Sequence, residues 1–128
     1  MKKFEIVEKL ENISKAILAN EDNFSQVDDL LDDRDNDVFS TQWMVEFDNV
    51  EKLKVSSESL GVDDALLERI FKDVFSKSSS SELASYVSDD FGLLIDAVSV
   101  GYESKWLTAL WDSYVVGVIP GGEIDMQR

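Results

Sequence analysis

The apolar positions of this chain recur at helical spacing in one stretch after another. In residues 4–19, Ile6, Leu10, Ile13 and Ile17 form one stripe, Val7 and Leu18 widen it, and Glu5, Glu8, Lys9, Glu11 and Lys15 fall mostly off it. This pattern predicts an amphipathic helix, with Asn20 as its stop. A short second helix is predicted over 24–33. Phe24, Val27, Leu30 and Leu31 give it an inward edge and Ser25 a cap, while Asp28 and Asp29 occupy the first turn, where the helix dipole favours anions. Residues 38–54 fit two templates. Phe39, Trp43, Phe47 and Val50 make a helical stripe, whereas Trp43, Val45 and Phe47 alternate as a strand would. Helix is preferred, because a lone strand has nothing to pair with.

Residues 55–61 read as a loop ending at Gly61. The clearest helix follows over 62–77. Val62, Leu66, Ile70 and Val74 repeat every four residues beside Leu67, Phe71 and Phe75, with Asp63 and Asp64 at the start and Lys72 and Lys77 towards the end. In the serine run after it, Ser79 and Glu82 match a capping box, so the serines form a turn that starts the next helix. Residues 80–88 and 90–100 are then predicted as two short helices broken near Ser88-Asp89. The first carries Leu83, Tyr86 and Val87; the second carries Phe91, Leu94, Ile95 and Val98 and ends at Gly101. A last helix over 103–117 turns Trp106, Leu107, Leu110, Trp111 and Tyr114 inward. Gly117 caps it, Pro120 closes it off, and a loose tail runs from about 121. The sum is an all-α fold, a compact array of about six or seven short helices in one domain spanning 1–128. Its expected core includes Ile13, Ile70, Leu94, Leu110 and Trp111.

Charge adds what periodicity does not. The chain has 27 acidic and 12 basic residues, a net charge of −15. Eight of the acids (Glu21, Asp22, Asp28, Asp29, Asp32, Asp33, Asp35 and Asp37) fall within 17 positions that hold one cation, Arg34. Such a cluster repels itself and costs stability unless a partner neutralises it. These eight residues are therefore the candidate partner-binding surface. Trp43, just beyond them, is a candidate partly exposed interface anchor. The charge argues against direct nucleic-acid binding, which draws its affinity from cations that replace counterions, and against anionic membrane surfaces. It favours a basic protein partner.

Candidate chemistry is sparse. The chain has no histidine and no cysteine, which removes the commonest general base, the commonest metal ligands and the best nucleophile at neutral pH. No phosphate-cradling loop, nucleophile elbow or cofactor signature appears. The string Asp33-Arg34-Asp35-Asn36-Asp37 starts like an EF-hand loop, but Val38 stands where the loop needs glycine and Met44 where it needs glutamate. Enzymatic activity, a metal and a cofactor are not expected. The lysines and scattered glutamates of the N-terminal stretch do not make a secretory signal, and no apolar run is long enough to span a bilayer. A cytoplasmic location is expected.

Residues 89–122, DDFGLLIDAVSVGYESKWLTALWDSYVVGVIPGG, carry a resemblance. Trp106, Leu107, Leu110, Trp111 and Tyr114, followed by Gly117, Ile119 and Pro120, resemble the ending found in small acidic immunity proteins of bacterial polymorphic toxin systems, including those of contact-dependent growth inhibition. The resemblance implies a tight, stoichiometric inhibitor of a cognate toxin domain, often a basic nuclease, made in the cytosol of the producing cell. Those proteins use different surfaces for different toxins, so no site residue carries over. An acidic adaptor or chaperone for a basic secreted effector would share the same charge logic.

Overall fold

The computed structural model describes residues 3–54 and 64–122. The expected loop at 55–61, the positions of Val62, Glu58 and Asp63, and the tail beyond 122 lie outside the described residues. Six α-helices follow one another: α1 (Lys3–Ala19), α2 (Val27–Asp35), α3 (Asp37–Lys54), α4 (Asp64–Ser78), α5 (Ser81–Val100) and α6 (Lys105–Val115). A 3₁₀ turn, Glu21–Phe24, lies between the first two. No strand occurs among the described residues, so the all-α expectation holds and residues 38–54 are helical.

α5 is the hub. It packs along α4 and also meets α1, α2 and α3, while α6 lies against α1. Its apolar content explains that place: Leu83, Ala84, Val87, Phe91, Leu93, Leu94, Ile95 and Ala97 are all buried. The stripes of the flanking helices close on it. Ile6, Leu10, Ile13 and Ile17 of α1, Leu66, Ile70 and Val74 of α4, and Trp106, Leu107, Leu110 and Tyr114 of α6 share one core. Phe91 meets Tyr114 edge-on at 5.3 Å, an arrangement that adds to simple burial. Of the expected core residues, Ile13, Ile70, Leu94 and Leu110 are buried, whereas Trp111 is half-buried at its edge.

Three local expectations are corrected. The break at Ser88-Asp89 does not exist, because α5 runs unbroken for 20 residues. The polar residues there face other partners: Ser88 Oγ donates to the Leu67 carbonyl of α4, and Asp90 points into the core. The capping serine is Ser80, whose hydroxyl accepts from Leu83 N–H. Ser79 adopts a left-handed conformation, φ 57°, and its N–H closes α4 on Phe75, so the first extended position falls one residue later. Ser25 likewise does not cap α2. It ends the 3₁₀ turn, and Gln26 precedes α2 without a capping bond.

Both helix-ending glycines behave as the sequence predicts. After α6, Gly117 N–H donates to Tyr114 and Val118 N–H to Ser113, the paired closure of a Schellman motif. Gly117 has φ 81°, and an added Cβ would lie 3.2 Å from the Ala16 carbonyl oxygen. Its own carbonyl accepts from Asn20 and Asn23, and Asn23 Oδ1 accepts from Ile119 N–H. The segment after α6 is thereby strapped across the end of α1 and onto α2, where Gly122 N–H donates to the Asp33 carbonyl.

Candidate functional site

The acidic stretch becomes a surface built on the 3₁₀ turn, α2 and the start of α3. All eight carboxylates, Glu21, Asp22, Asp28, Asp29, Asp32, Asp33, Asp35 and Asp37, are exposed. Phe24, Val27, Leu30 and Leu31 pack inward against the core, which turns the intervening acids outward. Internal compensation is slight. Among the described residues only Glu21 of the eight forms an ion pair, with Lys77 at the end of α4, 3.2 Å away and exposed. Such a surface pair contributes little. Asp35 accepts a hydrogen bond from Tyr86 OH.

Arg34, the one cation of the stretch, is not spent on its acidic neighbours. It is 4% exposed, and its guanidinium grips the fully buried Asp90 of α5 with two bonds, 2.7 and 2.8 Å. Nη1 also donates to the Pro120 carbonyl. The guanidinium lies 4.1 Å from the Phe39 ring centre and 5.0 Å from that of Tyr86, two cation–π contacts that offset part of its desolvation. Burial alone would lower the Arg34 pKa, but the Asp90 carboxylate outweighs it and holds the guanidinium above its ordinary value.

Asp90 is the node. Besides Arg34 it accepts from Trp43 Nε1 at 2.9 Å and from Tyr114 OH at 2.6 Å. Four donors from α2, α3 and α6 thus converge on one carboxylate of α5. Burial, then the Asp90 charge, pushes the Tyr114 phenol well above its usual value and keeps it a donor. Through this node the self-repelling α2 is fastened to the core. Trp43, expected as a partly exposed anchor, is half-buried, stacked on Phe47 at 5.4 Å with its indole N–H bonded to Asp90.

Beside the node a cleft of about 240 Å³ opens to solvent. Phe39, Trp43, Met44 and Tyr86 give it apolar walls, and Asp35 and Asp89 give it carboxylates. Of the predicted site residues, Asp35 and Trp43 meet here, whereas the other seven do not line it. Asp89 is exposed and forms no ion pair among the described residues. Its carboxyl is pushed up by desolvation and then by the Asp90 charge. The Tyr86 phenol is pushed up to about 12, chiefly by its bond to Asp35.

Tyr86, Asp89 and Asp90 were missed as site residues by sequence reasoning. A signal for Asp90 existed: it stands three residues after Val87 and four before Leu94, on the apolar face of α5, where a carboxylate requires a buried cation. Among the described residues no group of three or more acidic side chains is arranged to hold a metal ion. No described helix is long and apolar enough to cross a membrane.

Fold and surface together define a small all-α protein with an exposed acidic face and a buried polar node beneath it. The family model of immunity protein PIM1 matches residues 5–121, and the chain belongs to that family of toxin-system immunity proteins. Searches of curated proteins and of solved structures found no match.

Proposed function

We propose that the chain neutralises a basic nuclease toxin domain by laying the acidic face of the 3₁₀ turn, α2 and the start of α3 against it. The observation that carries this reading is the exposure of eight carboxylates with one exposed ion pair to them among the described residues, on a chain of an immunity family. Such a face complements the lysines and arginines with which a nuclease holds phosphate. It would block substrate by occupancy and by its field, and would speed encounter at low salt. On this reading the protein is a stoichiometric binder without catalysis, it acts in the cytoplasm of the producing cell, and the toxin belongs to a contact-dependent growth inhibition system.

The test is to titrate the purified chain against the nuclease activity of its cognate toxin domain. Complete inhibition at one-to-one stoichiometry, with the complex intact through size-exclusion chromatography, is expected. A toxin domain that keeps its activity while bound would overturn occupancy. Release of a non-native client would favour an adaptor or chaperone instead.

A further inference from the structure

We propose that the cleft between α2, α3 and α5 is a socket for one cationic side chain, an arginine or lysine, projecting from the toxin domain. The inference rests on the acidic-face reading and assigns that face its anchor point.

Size sets the first limit. Pockets for whole small-molecule ligands usually run from about 300 to 1,000 Å³. At about 240 Å³ this cleft suits a single long side chain better. Its chemistry sets the second. The rings of Trp43 and Tyr86 and the thioether of Met44 can lie along a methylene stem and a flat guanidinium, with the buried Phe39 ring forming the floor beneath. The ionic groups available to an occupant are the carboxylates of Asp35 and Asp89, because the Arg34 charge is already committed to Asp90. An anionic occupant would meet like charges. A cation would instead relieve Asp89, which desolvation and the Asp90 charge disfavour as an anion.

The surroundings fit an interface centre. Met44, at the mouth of the cleft, is 49% exposed, and Val38 and Val45 are also exposed on α3, with Asp35 and Asp37 close in sequence. An exposed apolar side chain at an aromatic pocket edged by carboxylates is where binding energy concentrates. The walls are also held in advance: Trp43 is fixed by Asp90 and Tyr86 by Asp35. Little ordering cost remains when the socket fills.

Two experiments test this on the full chain. In the first, acetyl-arginine amide and its neutral isostere acetyl-citrulline amide are titrated while the Trp43 indole N–H and the Met44 methyl are followed by NMR. The arginine probe should give saturable shifts at both, at least about tenfold tighter than citrulline, and Asp89→Asn should erase that preference. Equal binding of the two probes, or shifts confined to α2, would overturn the socket. In the second, association and dissociation with the cognate toxin domain are measured for Met44→Ala/Asp89→Asn and for Asp28→Asn/Asp29→Asn/Asp32→Asn. The socket pair should raise the dissociation rate about tenfold or more, whereas the α2 triple should slow association. If only the triple has its effect, the socket is wrong and the acidic face stands. If only the socket pair has its effect, the socket stands and steering by α2 is wrong. If neither changes binding, both fall. Met44→Ala alone, at an exposed position, serves if the pair unfolds.

Discussion

Asp90→Asn is the sharpest probe of how this fold carries its acidic face. The substitution keeps the shape and removes the charge. Four donors now share a carboxylate: Nη1 and Nη2 of Arg34, Nε1 of Trp43 and the Tyr114 hydroxyl. An amide offers one oxygen to them and turns its own donors towards the rest, while Arg34, 4% exposed, is left as a buried charge without a counter-ion. Breaking a buried ion pair from one side costs about 3–5 kcal/mol, a large share of the roughly 5–15 kcal/mol that holds a domain folded. For a chain of this size the melting temperature should fall by about 10–20 °C. The cycle with Arg34→Leu separates this account from a simple packing defect. Asp90→Leu and Arg34→Leu should each be costly. The double variant should be milder than their sum by about 1–3 kcal/mol, since no unpaired charge remains. It should not recover fully, because Trp43 and Tyr114 still lose an acceptor, at about 1–3 kcal/mol per buried group. Denaturant melts followed by circular dichroism give all four corners. An Asp90→Asn loss below about 1 kcal/mol, or strict additivity in the cycle, would refute the node.

Asp28→Asn/Asp29→Asn/Asp32→Asn should leave the midpoint of a urea melt equal or higher, since these exposed carboxylates form no ion pairs among the described residues and repel one another at helical spacing; a clear loss of stability would show hidden compensation. Gly117→Ala should cost about 1 kcal/mol or more, from its φ of 81° and the Ala16 carbonyl 3.2 Å from the new Cβ. Gly101→Ala, with φ 75° but open space around it, should cost less, and paired thermal melts compare the two. For Tyr86 the folded pKa of about 12 stands above the ordinary tyrosine value of 10.0, so its contribution is intact below about pH 10 and is lost as pH rises from 10 towards 12. The ultraviolet phenolate band, read as wild type minus Tyr86→Phe, should show this late titration, and Asp35→Asn should bring it earlier; an unchanged curve in Asp35→Asn would remove Asp35 as the cause.

Much of the fold is legible in the sequence because α1, α4 and α6 carry stripes long enough to fix their period, whereas the α3 stripe also fits a strand and α5 reads as two pieces. Ile6 to Ile17, Leu66 to Val74 and Trp106 to Tyr114 land on the core as their spacing requires. The errors cluster where polar residues interrupt a pattern. Ser88-Asp89-Asp90 looks like a helix break when read locally, since such residues compete for backbone bonds. In the fold their side chains have other work: Ser88 bonds α4, and Asp90 bonds Arg34 from 56 positions away. The carboxylate on an apolar face signals that a cation is needed, but the local pattern does not name a partner so distant in sequence. The serine run fails for a related reason, because which serine becomes the cap depends on where Ser79 ends α4.

The acidic face shows the same limit from the other side. Counting charges finds the eight carboxylates but treats Arg34 as their partial remedy. The geometry reverses that: the cation faces inward, the anions face outward, and the face is more negative than the local count suggests. This arrangement resolves a physical difficulty. A nine-residue helix rich in aspartate has weak intrinsic helicity and added like-charge repulsion, so it cannot hold itself in place. One buried arginine supplies the tether. It ties α2 to Asp90 on α5 and to Pro120 behind α6, while Leu30 and Leu31 supply the apolar contact. The helix can then present its carboxylates unneutralised to a partner, because the free energy that fixes it comes from beneath. The consequence is that stability and charge on this face separate. Substitutions on the outer surface of α2 should alter the proposed binding with little effect on folding, whereas substitutions at Arg34 or Asp90 should act first on folding.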